Sequence, residues 1–214
     1  VLQNDTGTAI MVFMSGVFVI LLAGIRWRVV FGGLFAGFLG SPVWYLFLAQ
    51  AHQKNRILTF LDPYRDPTGA GYNIIQSQIA IGSGGIYGKG YGNGAQSHLD
   101  FIPESHTDFI LAVLAEEFGL LGVLFLIGLY LFVLFRGFAI AYAARDLFGR
   151  LLAGSITLTF FLYVFTNMAM VTGLVPVIGL PLPLISRGGT SIVTLFIGFG
   201  LLMSIQTHER QKFS

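Results

Sequence analysis

The chain contains no cysteine, which excludes disulfides, thiolate zinc sites and cysteine nucleophiles. Charge is also scarce: only 10% of the 214 residues are Asp, Glu, Lys or Arg, whereas 55% are hydrophobic. Soluble domains carry about 25% charged residues, so this composition is typical of a protein embedded in lipid. The formal net charge of +2 is too small for a nucleic-acid-binding surface, and we exclude nucleic acid as a partner.

Several hydrophobic stretches are long enough to cross a membrane as helices, which takes about 18 or more residues. The sequence therefore predicts an all-α polytopic membrane protein that forms a single membrane domain. Five spans are predicted, at residues 7–25, 29–51, 107–135, 151–171 and 191–205. The sequence begins with Val1 and lacks a signal-peptide pattern, so we expect that an upstream portion is missing.

The basic residues indicate the orientation of these spans. The connections 26–28 and 136–150, together with the tail 208–214, hold seven of the twelve Lys and Arg residues. Basic connections face the cytoplasm. The C-terminus is therefore predicted to be cytoplasmic, and the long segment 52–106 is predicted to form an outer loop.

The outer loop contains a predicted short helix at residues 72–81 and then seven glycines within residues 82–94. The glycine spacing matches neither the P-loop nor the dinucleotide fingerprint, because Lys89 is followed by Gly90. A flexible or closely packed backbone loop is expected instead. The four histidines show no paired metal-ligand spacing and there is no Gly-x-Ser-x-Gly motif, so metalloprotease and serine-hydrolase functions have no support.

Asp108 stands where the outer loop enters the third predicted span, and two interpretations of it remain open. Ser105 followed three residues later by Asp108 fits a capping box at a helix N-terminus. A partly desolvated carboxylate at the outer membrane face is also suited to act as a general base. The two roles are compatible, because a cap also fixes the side chain.

Glu116 and Glu117 lie deeper in the same predicted span. An unpaired charge in hydrocarbon costs about 2.5 kcal/mol or more, so both carboxylates must face protein, water or a partner. If the helix is continuous from Asp108, Glu116 lies about 80° around the axis from it and can share its cavity. Glu117 lies on the opposite side and is expected to have a structural partner.

A proline-rich cluster precedes the last predicted span. Pro181 and Pro183 exclude a continuous helix, and Ser186 or Thr190 can cap the helix that follows. Free amides at a helix N-terminus beside Arg187 form a candidate diphosphate site. The alternative is a snorkelling arginine next to a tight turn.

These clusters, in this order, resemble the SEDS family of shape, elongation, division and sporulation proteins, and its RodA branch in particular. The matching residues are Leu61-Asp62-Pro63, Gly69-Ala70-Gly71-Tyr72 with Ile74-Ile75-Gln76-Ser77, Ile79-Ala80-Ile81-Gly82-Ser83-Gly84-Gly85, Pro103-Glu104 with His106-Thr107-Asp108-Phe109, Ala115-Glu116-Glu117, and Pro181-Leu182-Pro183 with Thr190-Ser191. The resemblance covers essentially the whole chain but only the C-terminal half of a family member, which has about ten spans.

The resemblance implies a peptidoglycan glycosyltransferase of the bacterial inner membrane, active in cell elongation and rod-shape maintenance. It would polymerise lipid II, with undecaprenyl diphosphate as the leaving group and inversion at the anomeric carbon. Asp108 would be the catalytic base. A divalent cation, Mg or Mn, and a class B penicillin-binding protein partner are implied, with no organic cofactor. Substrate contacts are expected from Asp5, Glu116, Ser186, Arg187 and Thr190.

Departures from the family pattern bear on these expectations. The usual Pro-Asp-Leu-Gly is replaced by Asn4-Asp5-Thr6-Gly7, and Arg187 stands where tyrosine is frequent. Two other functions remain open: a lipid II transporter (flippase) and a membrane scaffold for cell-wall synthesis and division. The near absence of ionisable residues from the first, second and fifth predicted spans argues against transport.

Overall fold

The computed structural model describes residues 6–66, 69–94 and 107–211 of the chain, and in these ranges it is all-α. The seven α-helices of these ranges are α1 (Thr6–Leu22), α2 (Trp27–Val43), α3 (Ala51–Leu61), α4 (Ala70–Gly84), α5 (Ile110–Ala143), α6 (Leu147–Val171) and α7 (Gly189–Gln211). A π-helical turn, Trp44–Leu48, follows α2, and a short 3-10 helix, Pro63–Arg65, separates α3 from α4.

The five predicted spans all correspond to helices, which confirms the fold class. Four helical stretches are long and apolar enough to cross a membrane: Trp27–Phe47, Ile110–Ala143, Leu147–Val171 and Gly189–Thr207. The first predicted span is the shorter apolar helix α1, of 17 residues.

The helix ends differ from the predicted span ends. The third span continues eight residues beyond the predicted end at 135, and the fourth begins at Leu147 instead of 151. The fifth, predicted as 191–205, is the longer helix α7. In the second, α-helix ends at Val43 directly after the internal Pro42, whose missing N–H interrupts the regular hydrogen bonds.

Helix α5 is interrupted at Gly119, whose φ of 66° and ψ of −163° are not helical. Residues 120–143 therefore form a separate helical segment about 36 Å long, at about 1.5 Å per residue. Its neighbour α6 has 25 residues and about the same length. Residues 110–118 form a short helical segment of their own before the Gly119 break.

The core lies between α5 and α6. Phe109, Tyr130, Phe160 and Leu182 are among its buried side chains. The Phe160 ring meets the rings of Tyr130 and Phe199 edge-on, with centroids 5.9 and 5.6 Å apart, which ties α5, α6 and α7 together. Helix α1 packs on α6, and α4 packs on α5.

The predicted loop 52–106 contains more helix in its described residues, 52–66 and 69–94, than the sequence indicated. The predicted helix at 72–81 is α4, which is longer at both ends. Helix α3 was not predicted, because its mixed polar sequence lacks a long apolar run. It begins with a capping box in which the Gln50 amide donates to Gln53 Oε1 at 3.0 Å.

Candidate functional site

Asp108 lies in the turn formed by residues 107–109, immediately before α5, and is half-buried. The next residue, Phe109, is only 1% exposed and anchors the turn in the core. The Asp108 Oδ2 atom is 3.5 Å from the position that a Cβ on Gly179 would occupy, so the carboxylate lies against this glycine backbone. Asp108 is thus enclosed between the start of α5 and the segment that follows α6.

The predicted capping box around Asp108 does not match the observed helix start. The N-cap residue of α5 is Phe109, and no side chain caps it. A box with Ser105 as N-cap would require the helix to begin four residues earlier than the observed N-cap Phe109 allows, and Ser105 lies outside the described residues. Asp108 therefore precedes the helix instead of lying in its first turn.

Asn167, near the C-terminal end of α6, links Asp108 to the proline-rich segment. Its side chain is fully buried. The Nδ2 group donates hydrogen bonds to the backbone oxygen of Asp108 at 2.8 Å and to that of Leu180 at 2.7 Å. Asn167 was not among the predicted site residues; the available signal was a carboxamide inside a membrane span, where an unpaired polar group is costly.

The proline-rich segment, residues 178–188, which we call the proline loop, is held by two further hydroxyls. The Ser186 Oγ accepts a hydrogen bond from the Leu182 amide at 2.7 Å and donates to the backbone oxygen of Thr107. The Tyr130 hydroxyl donates to the Pro183 carbonyl at 2.6 Å from within α5. Ser186 thus ties the proline loop to the Asp108 turn, and Tyr130 ties the same loop to α5.

Arg56 brings a positive charge to the same region. It lies on α3, is half-buried, and its Nη1 donates to the backbone oxygen of Ile178 at 3.2 Å. Ile178 is next to Gly179, against which Asp108 rests. Arg56 was not among the predicted site residues, because the segment 52–106 carries other basic residues and only the fold shows which of them reaches the proline loop.

Glu116 and Glu117 contact the glycine-rich segment after α4. Glu116 is fully buried, and its Oε1 is 2.7 Å from the Lys89 ammonium, whose side chain is 33% exposed. Glu117 Oε1 accepts a hydrogen bond from the Gly92 amide at 3.2 Å, so its predicted structural partner is found. The 80° offset predicted for Glu116 assumed that Asp108 lay in the helix, which begins only at Ile110.

The glycine-rich segment closes the break in α5, and we call residues 85–92 the glycine clasp. The Lys89 and Gly90 amides donate to the carbonyls of Glu116 and Glu117, at 3.0 and 2.9 Å. On the other side of the break, the Leu120 amide donates to the Gly85 carbonyl at 2.9 Å. Both ends of the interrupted helix thus find partners for their free backbone groups. The glycine run is a closely packed loop, one of the two structures that the sequence indicated.

The other predicted substrate residues are distributed around the start of α7. Arg187 is exposed and precedes the helix by two residues. Ser186 is only 4% exposed and does not cap α7 as expected, because its Oγ is used by Leu182 and Thr107. Thr190 is exposed in the first turn. Asp5 lies outside the described residues.

Thr190 also lines a cavity of about 490 Å³ between α1, α6, the proline loop and α7. The wall combines hydroxyl groups with apolar and aromatic side chains. The hydroxyl-bearing residues are Thr8, Ser15, Ser155, Thr159, Tyr163, Thr190, Ser191 and Thr194. The lining residues that the structure describes carry no formal charge.

No dedicated metal site is visible in the described part of the chain, since no three His, Asp or Glu side chains cluster there. Mg²⁺ is often held by one or two carboxylates and by phosphate oxygens of a substrate. The described residues therefore do not fit an all-protein cation site, and the divalent cation remains a prediction.

Comparison with known proteins identifies the family of this chain. The family model described as cell cycle protein, which groups FtsW, RodA and SpoVE, matches residues 1–211. Peptidoglycan glycosyltransferase MrdB of Escherichia coli strain K12 is 51% identical over 210 residues, which cover 97% of this chain and 56% of that protein. A probable peptidoglycan glycosyltransferase FtsW of Geobacter sp. strain M18 is 41% identical over 209 residues, with the same two coverages.

A solved structure shows the same fold. It is described as "Structural coordination of polymerization and crosslinking by a peptidoglycan synthase complex" and superposes with a TM-score of 0.78 at 34% identity. The match covers 98% of this chain and 58% of that one. The chain thus spans little more than half the length of the relatives it matches.

Proposed function

Because this chain belongs to the FtsW, RodA and SpoVE family of cell cycle proteins, we propose that it is the catalytic C-terminal half of a peptidoglycan glycosyltransferase that polymerises lipid II. The observation that carries the proposal is the position of Asp108. A single half-buried carboxylate is held between the start of α5, α6 and the proline loop, with the Arg56 guanidinium bonded to the same segment.

The proposed chemistry is a single displacement with Asp108 as general base. The carboxylate takes the proton from the hydroxyl of the acceptor sugar as that oxygen attacks the anomeric carbon of the donor chain. The new glycosidic bond forms as the bond to the diphosphate breaks, and the electron pair leaves with undecaprenyl diphosphate. Attack from the face opposite the leaving group inverts the anomeric carbon. General base catalysis of this kind contributes about 10²- to 10⁴-fold in rate.

The leaving diphosphate needs positive charge, and two arginines can supply it. Arg187 lies beside the N-terminus of α7, where first-turn amides and the helix dipole favour an anion. Arg56 approaches from α3 and reaches Ile178, one residue before the glycine that contacts Asp108. A guanidinium can bind a phosphate with two parallel hydrogen bonds. We assign Arg187 and Arg56 to the diphosphate, and Asp5 and Thr190 to further substrate contacts. Glu116, predicted as a substrate contact, is fully buried and paired with Lys89, so we assign it a structural role instead.

A divalent cation, when bound, would neutralise part of the diphosphate charge. The described residues provide no dedicated set of ligands for it. The steps assigned to Asp108, Arg56 and Arg187 do not involve the cation.

The protein is a multi-pass inner-membrane protein, as its apolar helices and its family indicate. We propose in addition that its C-terminus is cytoplasmic, which places Asp108 at the outer face. A role in cell elongation is supported by the higher identity to MrdB than to FtsW, 51% against 41%. A class B penicillin-binding protein is the proposed partner, in keeping with the similar solved structure, which is described as that of a peptidoglycan synthase complex.

Polymerisation of lipid II by the purified full-length enzyme tests the proposal. In detergent there are no two compartments, so transport cannot produce a signal, whereas a polymerase yields glycan chains that separate on a gel. Chains of many disaccharides, with and without the penicillin-binding partner, are the expected result. Transport in vesicles without chain formation in detergent would favour the flippase, and the absence of both would leave the scaffold.

A further inference from the structure

The carboxamide of Asn167 occupies an unusual place, at the junction of three segments that are far apart in sequence. It lies on α6, within hydrogen-bond distance of the Asp108 turn and of the proline loop. Its side chain is fully buried, together with the neighbouring core residues Phe109 and Leu182. Neither bond involves the Asp108 carboxylate, since both acceptors are backbone oxygens.

The two contacts fix the orientation of this carboxamide. The backbone oxygens of Asp108 and Leu180 are both acceptors, so only the NH₂ group can face them. The reverse orientation would place Oδ1 against two carbonyl oxygens. Asn167 Oδ1 is buried and finds no hydrogen-bond partner among the described residues. An unpaired buried acceptor costs free energy, and the two hydrogen bonds of the Nδ2 group offset that cost at this position.

We propose that Asn167 is a positioning residue that sets the place of the Asp108 carboxylate relative to the proline loop; this inference rests on the proposed function. One side chain ties the Asp108 backbone to Leu180, which follows the glycine that the carboxylate touches. Losing this tie frees the turn from the loop that would bind the diphosphate. A displacement of about 1 Å between reacting groups can cost about 10²-fold in rate.

The Ser186 hydroxyl provides a second tie to the Asp108 turn, through the backbone of Thr107. This hydroxyl joins the Thr107 carbonyl to the Leu182 amide, so the residue before Asp108 is tied to the same loop. We therefore assign Ser186 a positioning role instead of the substrate contact that the sequence suggested. This second tie allows a test that does not depend on truncating Asn167.

The experiment measures lipid II polymerisation by full-length enzyme carrying Asn167→Ala, Asn167→Asp or Ser186→Ala, with kcat and KM determined separately. We expect kcat to fall about 10²-fold for both Asn167 variants and at least about fivefold for Ser186→Ala, whereas KM for lipid II changes less than about threefold. Asn167→Asp keeps the size but places an oxygen against two carbonyls, so it should not rescue. Rates are normalised to the folded, monodisperse fraction.

Thr157→Val is the matched control. Thr157 is also buried on α6, at 3% exposure, and its Oγ1 donates to Ala153 within the same helix, away from Asp108. It should keep kcat within about twofold of wild type. Wild-type kcat for the Asn167 variants, or an equal loss for Thr157→Val, would overturn the inference. Asp108→Asn, measured in parallel, distinguishes failure of the proposed function from failure of the positioning role. If Asp108→Asn is active, the proposed function fails. If Asp108→Asn is inactive and the Asn167 variants keep wild-type kcat, only the positioning role fails.

Discussion

The ammonium of Lys89 lies 2.7 Å from Oε1 of Glu116, and this ion pair joins the glycine clasp to residues 110–118 of α5. The two partners differ in exposure: the Glu116 side chain is fully buried, whereas that of Lys89 is 33% exposed. Removing the lysine takes a cation away from a fully buried carboxylate, whatever its other contacts, whereas removing the glutamate would leave a cation that water can reach. The pair is therefore expected to respond asymmetrically to substitution.

We predict that Lys89→Met destabilises the protein more than Glu116→Gln. Loss of one partner of a buried pair costs about 3–5 kcal/mol, and the partial exposure of Lys89 places the expected loss at or below the lower end, about 2–3 kcal/mol. Glu116→Gln should cost about half as much or less. Thermal unfolding of the purified protein in one detergent gives the comparison. Equal melting temperatures for the two variants would contradict the asymmetry.

A second prediction concerns the break in α5. A Cβ on Gly119 would lie 2.3 Å from the Gly88 amide nitrogen, and the φ of 66° is unfavourable for other residues. Gly119→Ala should therefore open the glycine clasp and cost at least about 2 kcal/mol. Gly128→Ala is the control, because Gly128 lies in the same helix with nothing within 4 Å of its added Cβ. Similar stability of the two alanine variants would show that the clasp does not constrain α5.

A third prediction tests the arginine that reaches the proline loop. Arg56→Gln should lower lipid II polymerisation about tenfold or more, since a hydrogen bond to a charged group is worth about 1.5–3 kcal/mol. Lys54→Gln removes the same charge from the same helix. Its ammonium bonds to the Leu46 carbonyl and lies 5.7 Å from the Tyr45 ring centroid, away from that loop. An equal effect of the two substitutions would indicate a general charge effect instead of a specific contact.

The orientation in the membrane is a fourth prediction. This chain contains no cysteine, so its own residues give no background in thiol labelling. Ser97→Cys should react with an impermeant thiol reagent applied to the outer face, and Ser214→Cys should react only after the membrane is opened, because the basic connections face the cytoplasm. The opposite labelling pattern would invert the topology and remove Asp108 from the outer face.

The sequence was sufficient to predict the apolar helices, because long apolar runs have few alternatives to membrane helices. It was insufficient for α3, whose polar amphipathic sequence has no such run, and for the Gly119 break. That break depends on the glycine clasp, which comes from a segment about thirty residues earlier; periodicity along one helix does not register such a partner.

Asp108 could be named as a candidate from the sequence, whereas the contacts that hold it in place could not. Asp108 was identified because a carboxylate at the entrance to an apolar span is unusual. Asn167, Arg56 and Ser186 act through backbone oxygens of the Asp108 turn and of the residues that follow α6. Backbone acceptors leave no signature in side-chain composition, so these contacts emerge only when the chain is folded.

The central claim is that the Asp108 carboxylate accepts the proton of the acceptor sugar. Asp108→Asn keeps the size of the side chain and its ability to hydrogen-bond, but an amide does not accept a proton at neutral pH. Asp146→Asn is the matched control: Asp146 caps α6 by accepting a hydrogen bond from the Gly149 amide at 2.6 Å, and asparagine is an equally good cap.

The most direct measurement is the initial rate of lipid II polymerisation by full-length Asp108→Asn enzyme, at equal folded amount and with partner binding checked. We predict a rate about 10²- to 10⁴-fold below wild type, with Asp146→Asn within about twofold of wild type. A rate for Asp108→Asn near that of wild type would contradict the account, because no carboxylate would then be required at this position.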